Sequence, residues 1–255
     1  LTAGGGKENK ADDKTITVAA SPTPHAEILE AAKDLLKEKG YTLEIKEFDD
    51  YPQQNVVVDE GEFDANYFQH QPYLDNFNEE KGSDLVSAAK IHYEPLGIYP
   101  GASENLENIK DGAKIAVPND ATNEARALLL LEENGIITLK EDAGLNATKK
   151  DVEENPHNIE IVELDAAQIA RVVEELDFVI LNGNYALDAG FNVQTDAIAK
   201  EEADSEAAQT YANIIAVKKE NKDSEKIKAL VEVLQSEEIG KFITDTYEGA
   251  VVPMK

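Results

Sequence analysis

Residues 117–131 read V-P-N-D-A-T-N-E-A-R-A-L-L-L-L, and this stretch predicts a strand that ends at Pro118, a polar turn and a helix. Arg126 lies near the start of that helix and is one of only two arginines in the chain, against 22 lysines. A cation near a helix N-terminus opposes the macrodipole, at a cost of roughly 0.3–1 kcal/mol. An anion held between the guanidinium and the free backbone N–H groups would reverse that penalty. We therefore predict an anion site at Arg126. The alternative is that Arg126 pairs with Glu124 or with another carboxylate.

Strands and helices alternate on both sides of this stretch. Short apolar segments such as Thr15–Ala20, Lys114–Pro118 and Phe178–Leu181 predict strands, and amphipathic segments between them predict helices. This alternation is typical of parallel βαβ units in an α/β fold. The series occurs twice, with crossings near Tyr99 and Val217, which predicts two lobes. We assign residues 1–13 to a flexible tether, residues 14–98 and 217–255 to lobe I, and residues 99–216 to lobe II.

Composition excludes several classes of function. The 255 residues include 52 acidic and 24 basic side chains, and the formal net charge of −28 makes nucleic acid and anionic lipid poor partners. The absence of cysteine excludes disulfides, thiol catalysis and zinc–thiolate sites. No apolar run approaches the roughly 18 residues needed to span a membrane. The sequence contains no nucleophile elbow, phosphate-binding glycine loop, dinucleotide fingerprint or zinc-peptidase motif. We therefore predict a protein that is not an enzyme and needs no cofactor.

Aromatic residues are concentrated in the first half of the chain. Ten of the 16 Phe and Tyr residues fall between Tyr41 and Tyr99, and several follow predicted strand ends. Ligands of open α/β sheets bind at those ends, so we predict an aromatic wall there. Its candidate residues are Tyr51, Phe68, His70 and Tyr73, with His92 in the same region. The alternative for some of these aromatic residues, such as Phe63, Tyr67 and Phe77, is that they pack in the hydrophobic core. Two further alternatives concern the histidines: metal binding by His70 and His92, and acid–base catalysis by His70.

Asparagines follow strand ends in the second series. Asn119 and Asn123 flank the start of the Arg126 helix, Asn182 and Asn184 follow a buried strand, and Asn213 lies early in the returning strand. A neutral amide donates to a carboxylate and accepts from an ammonium group. Turn formation is the alternative for Asn119 and Asn182. Together with Arg126 and the aromatic wall, these amides predict a site for an apolar α-amino acid.

Four motifs resemble a known family. They are D-A-N-Y-F-Q-H-Q-P-Y-L (64–74), V-P-N-D-A-T-N-E-A-R-A-L-L-L-L (117–131), V-E-E-N-P-x-N-I-E-I-V-E-L (152–164) and N-G-N-Y-A (182–186). They resemble the methionine-binding lipoproteins of the NlpA/MetQ type, which are substrate-binding proteins of bacterial ABC importers. The resemblance extends from about Thr15 to Pro253.

The resemblance implies a two-lobed, periplasmic-binding-protein-like α/β fold of type II, with the ligand in a cleft between the lobes. It implies that Arg126 meets the methionine carboxylate. Asn119, Asn182 and Asn213 match the assisting amides, with Asn184 as a nearby candidate. Tyr51, Phe68, His70 and Tyr73 match the aromatic contacts of the side chain, and His92 or Tyr93 extends that group.

The resemblance also implies partners and a location. The ligand is methionine, with L-methionine favoured over D-methionine or a methionine-containing dipeptide, and the partners are an ABC permease and its ATPase. The lipid-bearing cysteine of the family corresponds to Gly4, so we expect an extracytoplasmic protein anchored only through a cysteine that Gly4 replaces. The alternative from another class is a surface adhesin with a vestigial cleft.

Overall fold

The computed structural model describes residues 13–254. The predicted tether, apart from Asp13, and the lipid-anchor position Gly4 lie outside the described residues. Between residues 13 and 254 the strands, in chain order, are β1 (Thr15–Ala20), β2 (Thr42–Glu47), β3 (Ala65–His70), β4 (Val86–Tyr93), β5 (Gly97–Pro100), β6 (Lys114–Pro118), β7 (Thr138–Leu139), β8 (Val152–Glu154), β9 (Glu160–Leu164), β10 (Phe178–Leu181), β11 (Ala199–Lys200), β12 (Asn213–Val217) and β13 (Val252–Pro253).

Helices alternate with these strands, as the sequence predicts. Over the same residues the α-helices are α1 (Glu27–Glu38), α2 (Pro52–Asp59), α3 (Gln71–Lys81), α4 (Ala121–Glu133), α5 (Gly183–Asp188), α6 (Val193–Asp196), α7 (Glu206–Thr210), α8 (Glu225–Leu234) and α9 (Glu237–Tyr247). A π-helical turn covers Pro22–Ala26, and 3₁₀ helices cover Gly144–Asn146, Lys149–Asp151, Ala166–Glu175 and Lys219–Asn221.

The chain divides into two compact units, and the first contains residues up to 93 and from 210 onward. Its six-stranded sheet has the order β13-β4-β12-β3-β1-β2. Strand β1 runs parallel to β2 and β3, whereas β12 runs antiparallel to both β3 and β4. The predicted parallel pairing is present at β1, whereas β12 adds antiparallel pairing to this sheet. Strand β12 enters this sheet after the chain has passed through the second unit. It is therefore not joined to β3 or β4 by a βαβ crossover, which is the connection that parallel neighbours require.

The second unit contains residues 94–209. Its five-stranded sheet has the order β11-β5-β10-β6-β9, and β7 and β8 form a separate two-stranded sheet. Strands β10, β6 and β9 are parallel, β5 pairs antiparallel with β10, and β11 pairs antiparallel with β5 at the edge of the sheet. The central strands are buried along their length, which explains why they read as continuous apolar runs such as F-V-I-L. Helix α4 packs on this sheet through Leu128 and Leu131, both fully buried.

The unit boundaries fall earlier in the chain than the predicted lobe boundaries at residues 98/99 and 216/217. Strand β5 pairs with β10 and β11, and Asn213–Val217 pairs with β3 and β4. Asn213 therefore belongs to the sheet of the first unit, although the sequence assigns it to lobe II. Hydrophobic pattern alone identifies a strand but does not indicate which sheet it joins.

Candidate ligand-binding site

The start of helix α4 is built by short-range hydrogen bonds. Strand β6 ends at Pro118, and Asp120 is the N-cap residue. The Asp120 carboxylate accepts from the backbone N–H of Asn123 at 3.2 Å and from its side-chain Nδ2 at 2.8 Å. Burial raises the pKa of Asp120, and the hydrogen bonds from Asn123 oppose that rise. The predicted strand–turn–helix is confirmed, and it places Arg126 in the second helical turn.

Arg126 makes a buried, bidentate ion pair. Its Nε donates to Oε2 of Glu201 at 2.9 Å, its Nη2 donates to Oε1 at 2.6 Å, and Nη2 also donates to the backbone oxygen of Glu94 at 3.1 Å. The two side chains are only 4% and 6% exposed, so solvent screens the pair weakly. A carboxylate partner for Arg126 was the alternative that the sequence left open. The structure supplies one from Glu201, not from Glu124.

Glu201 is itself held in place. Strand β11 ends just before it, its backbone N–H donates to the oxygen of Leu96 at 3.0 Å, and its Oε1 accepts from the N–H of Leu96 at 3.0 Å. A carboxylate fixed in this way orients the guanidinium plane through two parallel hydrogen bonds. The Nε/Nη2 edge of Arg126 is thereby directed at Glu201, and Nη1 lies on the other edge.

Glu124 has a different neighbourhood. Its side chain is buried, and its Oε1 has no hydrogen-bond partner among the described residues. Burial, and then the neighbouring carboxylate of Glu163, raise the pKa of Glu124 to about 8. Glu163 is exposed and pairs with Lys149 at 3.2 Å. Its pKa is lowered by the contact with Glu124 and by Lys149. Glu124 therefore retains its proton over part of the neutral pH range, next to an ionised Glu163.

Amide groups surround the same helix start. Nδ2 of Asn182 donates to Oδ1 of Asn123 at 3.1 Å, whereas the buried Oδ1 of Asn182 has no hydrogen-bond partner within residues 13–254. Gly183 follows, and a Cβ there would lie 2.6 Å from the Cβ of Glu94, so only glycine lets this turn approach Glu94. Asn184 is buried in helix α5. Asn182 is therefore joined to the Arg126 helix through Asn123. Asn119, in contrast, is exposed after β6.

The first unit contains an aromatic cluster of Tyr51, Phe68 and Tyr73. The centroid of the Tyr51 ring lies 5.5 Å from that of Phe68 and 5.6 Å from that of Tyr73, and the Phe68 and Tyr73 rings are 5.7 Å apart. The structure thus brings together three of the predicted aromatic residues. Tyr51 and Phe68 are buried, and Tyr73 is partly exposed.

His70 borders this cluster and begins helix α3. Its Nδ1 accepts from the backbone N–H of Tyr73 at 3.2 Å, which caps the helix. Its ring also meets that of Tyr211 edge-to-face, with centroids 5.0 Å apart. Tyr211 was not among the predicted site residues, because it reads as the start of an apolar strand.

His92 and Asn213 occupy paired positions on β4 and β12, and His70 faces Asn213 from β3. His92 Nδ1 and the hydroxyl of Tyr67 are hydrogen-bonded to each other. His70 Nδ1 and His92 Nδ1 thus each have a hydrogen-bond partner in the protein. The core alternative holds for Phe77 and Phe63, which pack with Val58 and Leu74. Tyr67 is fully buried but contacts histidines as well as the core, and Tyr93 is buried on β4.

Comparisons with known proteins agree on one family. The model of the NlpA lipoprotein family matches residues 16–255. The methionine-binding lipoprotein MetQ of Bacillus subtilis is 45% identical over 255 residues, covering 98% of this chain and 92% of the relative. A solved structure from Ruminococcus gnavus has a TM-score of 0.94 at 66% identity and covers 95% of this chain and all of that one.

A second solved structure has a bound ligand. The nutrient-binding protein from Burkholderia cenocepacia bound to methionine has a TM-score of 0.90 at 42% identity, covering 94% of this chain and 100% of that chain. These similarities confirm the predicted two-lobed α/β binding-protein fold. Over residues 13–254, no helix has the length and apolar character required to cross a membrane. By sequence and by fold, this chain belongs to the NlpA lipoprotein family.

Proposed function

We propose that this chain captures L-methionine on the extracytoplasmic side and delivers it to the permease and ATPase of an ABC importer. One observation carries the proposal: the start of helix α4 combines the buried Arg126 guanidinium with a buried carbonyl, Oδ1 of Asn182, that has no protein partner in the described chain. An α-amino acid presents a carboxylate and an ammonium group, which are the charges that such a donor and acceptor bind. The choice of methionine is supported by the relatives, one named for binding it and one solved with it.

The carboxylate is assigned to Arg126. Glu201 holds the Nε/Nη2 edge, so we propose that the ligand approaches from the Nη1 side. The ammonium group is assigned to Oδ1 of Asn182, because a carbonyl oxygen only accepts. Asn184 and Asn119 remain proposed polar contacts, as does Asn213.

The thioether side chain is assigned to the aromatic cluster of Tyr51, Phe68 and Tyr73, with His70 and His92 as further proposed contacts. Each sulfur–ring contact stabilises binding by about 0.3–1.5 kcal/mol. Rings that already pack against one another lose little conformational freedom when ligand binds. This reasoning favours a flexible, unbranched, polarisable side chain over a branched one.

Isothermal titration calorimetry tests the ligand directly. L-Methionine should bind with the lowest Kd, and norleucine, which has the same shape without sulfur, should bind more weakly by about 2- to 10-fold. Tighter binding of D-methionine or of a methionine dipeptide would leave the fold and the charged contacts in place and overturn the ligand assignment.

A thermal-melt comparison separates a receptor from an adhesin. A receptor gains stability with ligand by mass action, by about 2.7 kcal/mol at a ligand concentration of 100 times Kd. No Tm increase with any of these ligands would favour the adhesin alternative. Recovery of unaltered methionine after long incubation is expected, because transport requires no chemistry.

A further inference from the structure

His25 contacts Asn213 inside the first unit. Nε2 of His25 lies 2.7 Å from Oδ1 of Asn213, across 188 residues of sequence. His25 is fully buried, and the Asn213 side chain is 6% exposed. Strand β12 carries Asn213 between β3 and β4, so its backbone position is fixed on both sides. The contact therefore joins a buried histidine to a residue assigned to ligand binding.

The ring of His25 is held by two other rings. Its centroid lies 4.8 Å from that of Tyr67, in an edge-to-face arrangement, and 5.1 Å from that of His92. Tyr67 and His92 are hydrogen-bonded to each other, which fixes both. The backbone of His25 lies in the π-helical turn Pro22–Ala26. These contacts keep Nε2 directed at Asn213.

The chemistry of this contact assigns the proton. Oδ1 of Asn213 is a carbonyl oxygen and only accepts, so Nε2 of His25 carries the hydrogen. The amide is then held in one of its two orientations, with Nδ2 on the side away from the histidine. Nδ2 takes no part in the contact with His25, which is made by Oδ1. The end of Asn213 that remains for a ligand is thus a donor.

We propose that His25 is a positioning residue that orients Asn213 so that Nδ2 donates to the carboxylate of the bound amino acid. This inference rests on the proposed function and deepens it, because it assigns Asn213 to the carboxylate and not to the ammonium group. It also makes His25 a determinant of ligand class: the site selects ligands that present an acceptor at this position. A hydrogen bond to a charged group changes affinity on the order of 10- to 100-fold.

Substitutions at Asn213 test the orientation. Asn213→Asp is nearly isosteric but replaces the donor with a carboxylate oxygen. It should weaken L-methionine binding on the order of 100-fold or more, because the aspartate would face the ligand carboxylate. If Oδ1 faced the ligand ammonium instead, Asn213→Asp would bind L-methionine as well as wild type or more tightly. That result would overturn the inference.

Substitutions at His25 test the positioning role. In His25→Gln, the terminal amide can still donate to Oδ1 of Asn213, so we expect a Kd within about 3-fold of wild type. His25→Leu removes the donor and should weaken binding about 10-fold or more. His157→Leu is the matched control, because His157 lies in a turn of the other unit, and its Kd should be unchanged.

Two readouts keep the test decisive if His25→Leu folds poorly. Long-range ¹H–¹⁵N NMR spectra should show the His25 proton on Nε2, and a proton found only on Nδ1 would overturn the inference. Equal L-methionine affinity in wild type and a folded His25→Leu would also overturn it, while the proposed function would stand. Failure of wild type to bind L-methionine would instead remove the proposed function and the inference with it.

Discussion

The Arg126–Glu201 ion pair leads to a prediction that separates stability from ligand binding. Arg126→Leu leaves the Glu201 carboxylate buried without its bidentate partner. Removal of one partner of a buried pair costs about 3–5 kcal/mol, a large part of the roughly 5–15 kcal/mol that holds a typical protein folded. Loss of methionine binding in that variant would therefore be ambiguous, because the helix start itself is destabilised.

The double variant Arg126→Leu/Glu201→Gln resolves the ambiguity. It removes both charges, and the glutamine oxygen still accepts from the backbone N–H of Leu96, as Oε1 does now. We expect the double variant to recover about 2–3 kcal/mol relative to the sum of the two single losses, because no unpaired charge remains buried. Methionine binding should stay absent, because the guanidinium is gone.

Urea denaturation followed by circular dichroism measures the free energy of unfolding of wild type, both single variants and the double variant, without ligand. Calorimetry with L-methionine supplies the second readout. Single losses that add to within about 0.5 kcal/mol would refute the energetic coupling. Wild-type affinity in the double variant would refute the role of Arg126 in binding.

Contacts elsewhere in the chain lead to three more predictions. Glu124→Gln should raise Tm near about pH 8.5 and have little effect near about pH 5. The pKa of Glu124 is about 8 in the folded state, against 4.5 in the unfolded state. As the pH rises from 4.5 to about 8, the unfolded chain loses this proton while the folded protein keeps it, so wild type loses stability over that range and the glutamine variant does not. Equal Tm differences at both pH values would contradict this. Asn55→Ala removes three buried hydrogen bonds to the amides of Asn66 and Gln69 and leaves Oε1 of Gln69 without its Asn55 donor, so it should lower the free energy of unfolding by about 2–4 kcal/mol in a urea titration. A loss under about 1 kcal/mol would show that the network is dispensable. Phe68→Leu should weaken L-methionine binding about 3- to 10-fold by calorimetry but affect norleucine less, and an equal loss for both would argue against a sulfur–ring contact.

Local signals account for the elements that the sequence predicts well. Strands Lys114–Pro118 and Phe178–Leu181 have the predicted bounds because they are short apolar runs between polar turns. Helix α3 ends at Gly82, which adopts the left-handed conformation that glycine favours. These features depend on residues within a few positions of one another, so a single sequence is enough to identify them.

Features that depend on residues far apart in the chain cannot be identified from local sequence patterns. A capping motif at Asp165 predicts an amphipathic α-helix, but Ala166–Glu175 is a 3₁₀ helix with a kink at Val172. The carbonyls of Val173 and Leu176 approach Gly101 so closely that a Cβ there would lie 2.3 Å from each oxygen. That contact joins segments far apart in the chain, so the local pattern does not show it.

The candidate site also combines residues that local sequence identifies with partners that it does not. Arg126, the aromatic cluster and the asparagines were identified from local pattern and family resemblance, and their binding roles remain predictions. Glu201 is 75 residues from Arg126 and is one of 52 acidic residues, so no local signal identifies it as the partner. His25 is a lone histidine after a strand, and only the position of β12 brings Asn213 to it. Buried polar pairs of this kind are specified by tertiary structure.

The proposed function requires that the chain bind one methionine through Arg126. Native mass spectrometry tests it most directly, with wild type and Arg126→Leu/Glu201→Gln each mixed with excess L-methionine. We expect a one-to-one methionine complex for wild type and none for the double variant. Wild type that remains free of methionine, or a double variant that retains it, would contradict a methionine site at Arg126.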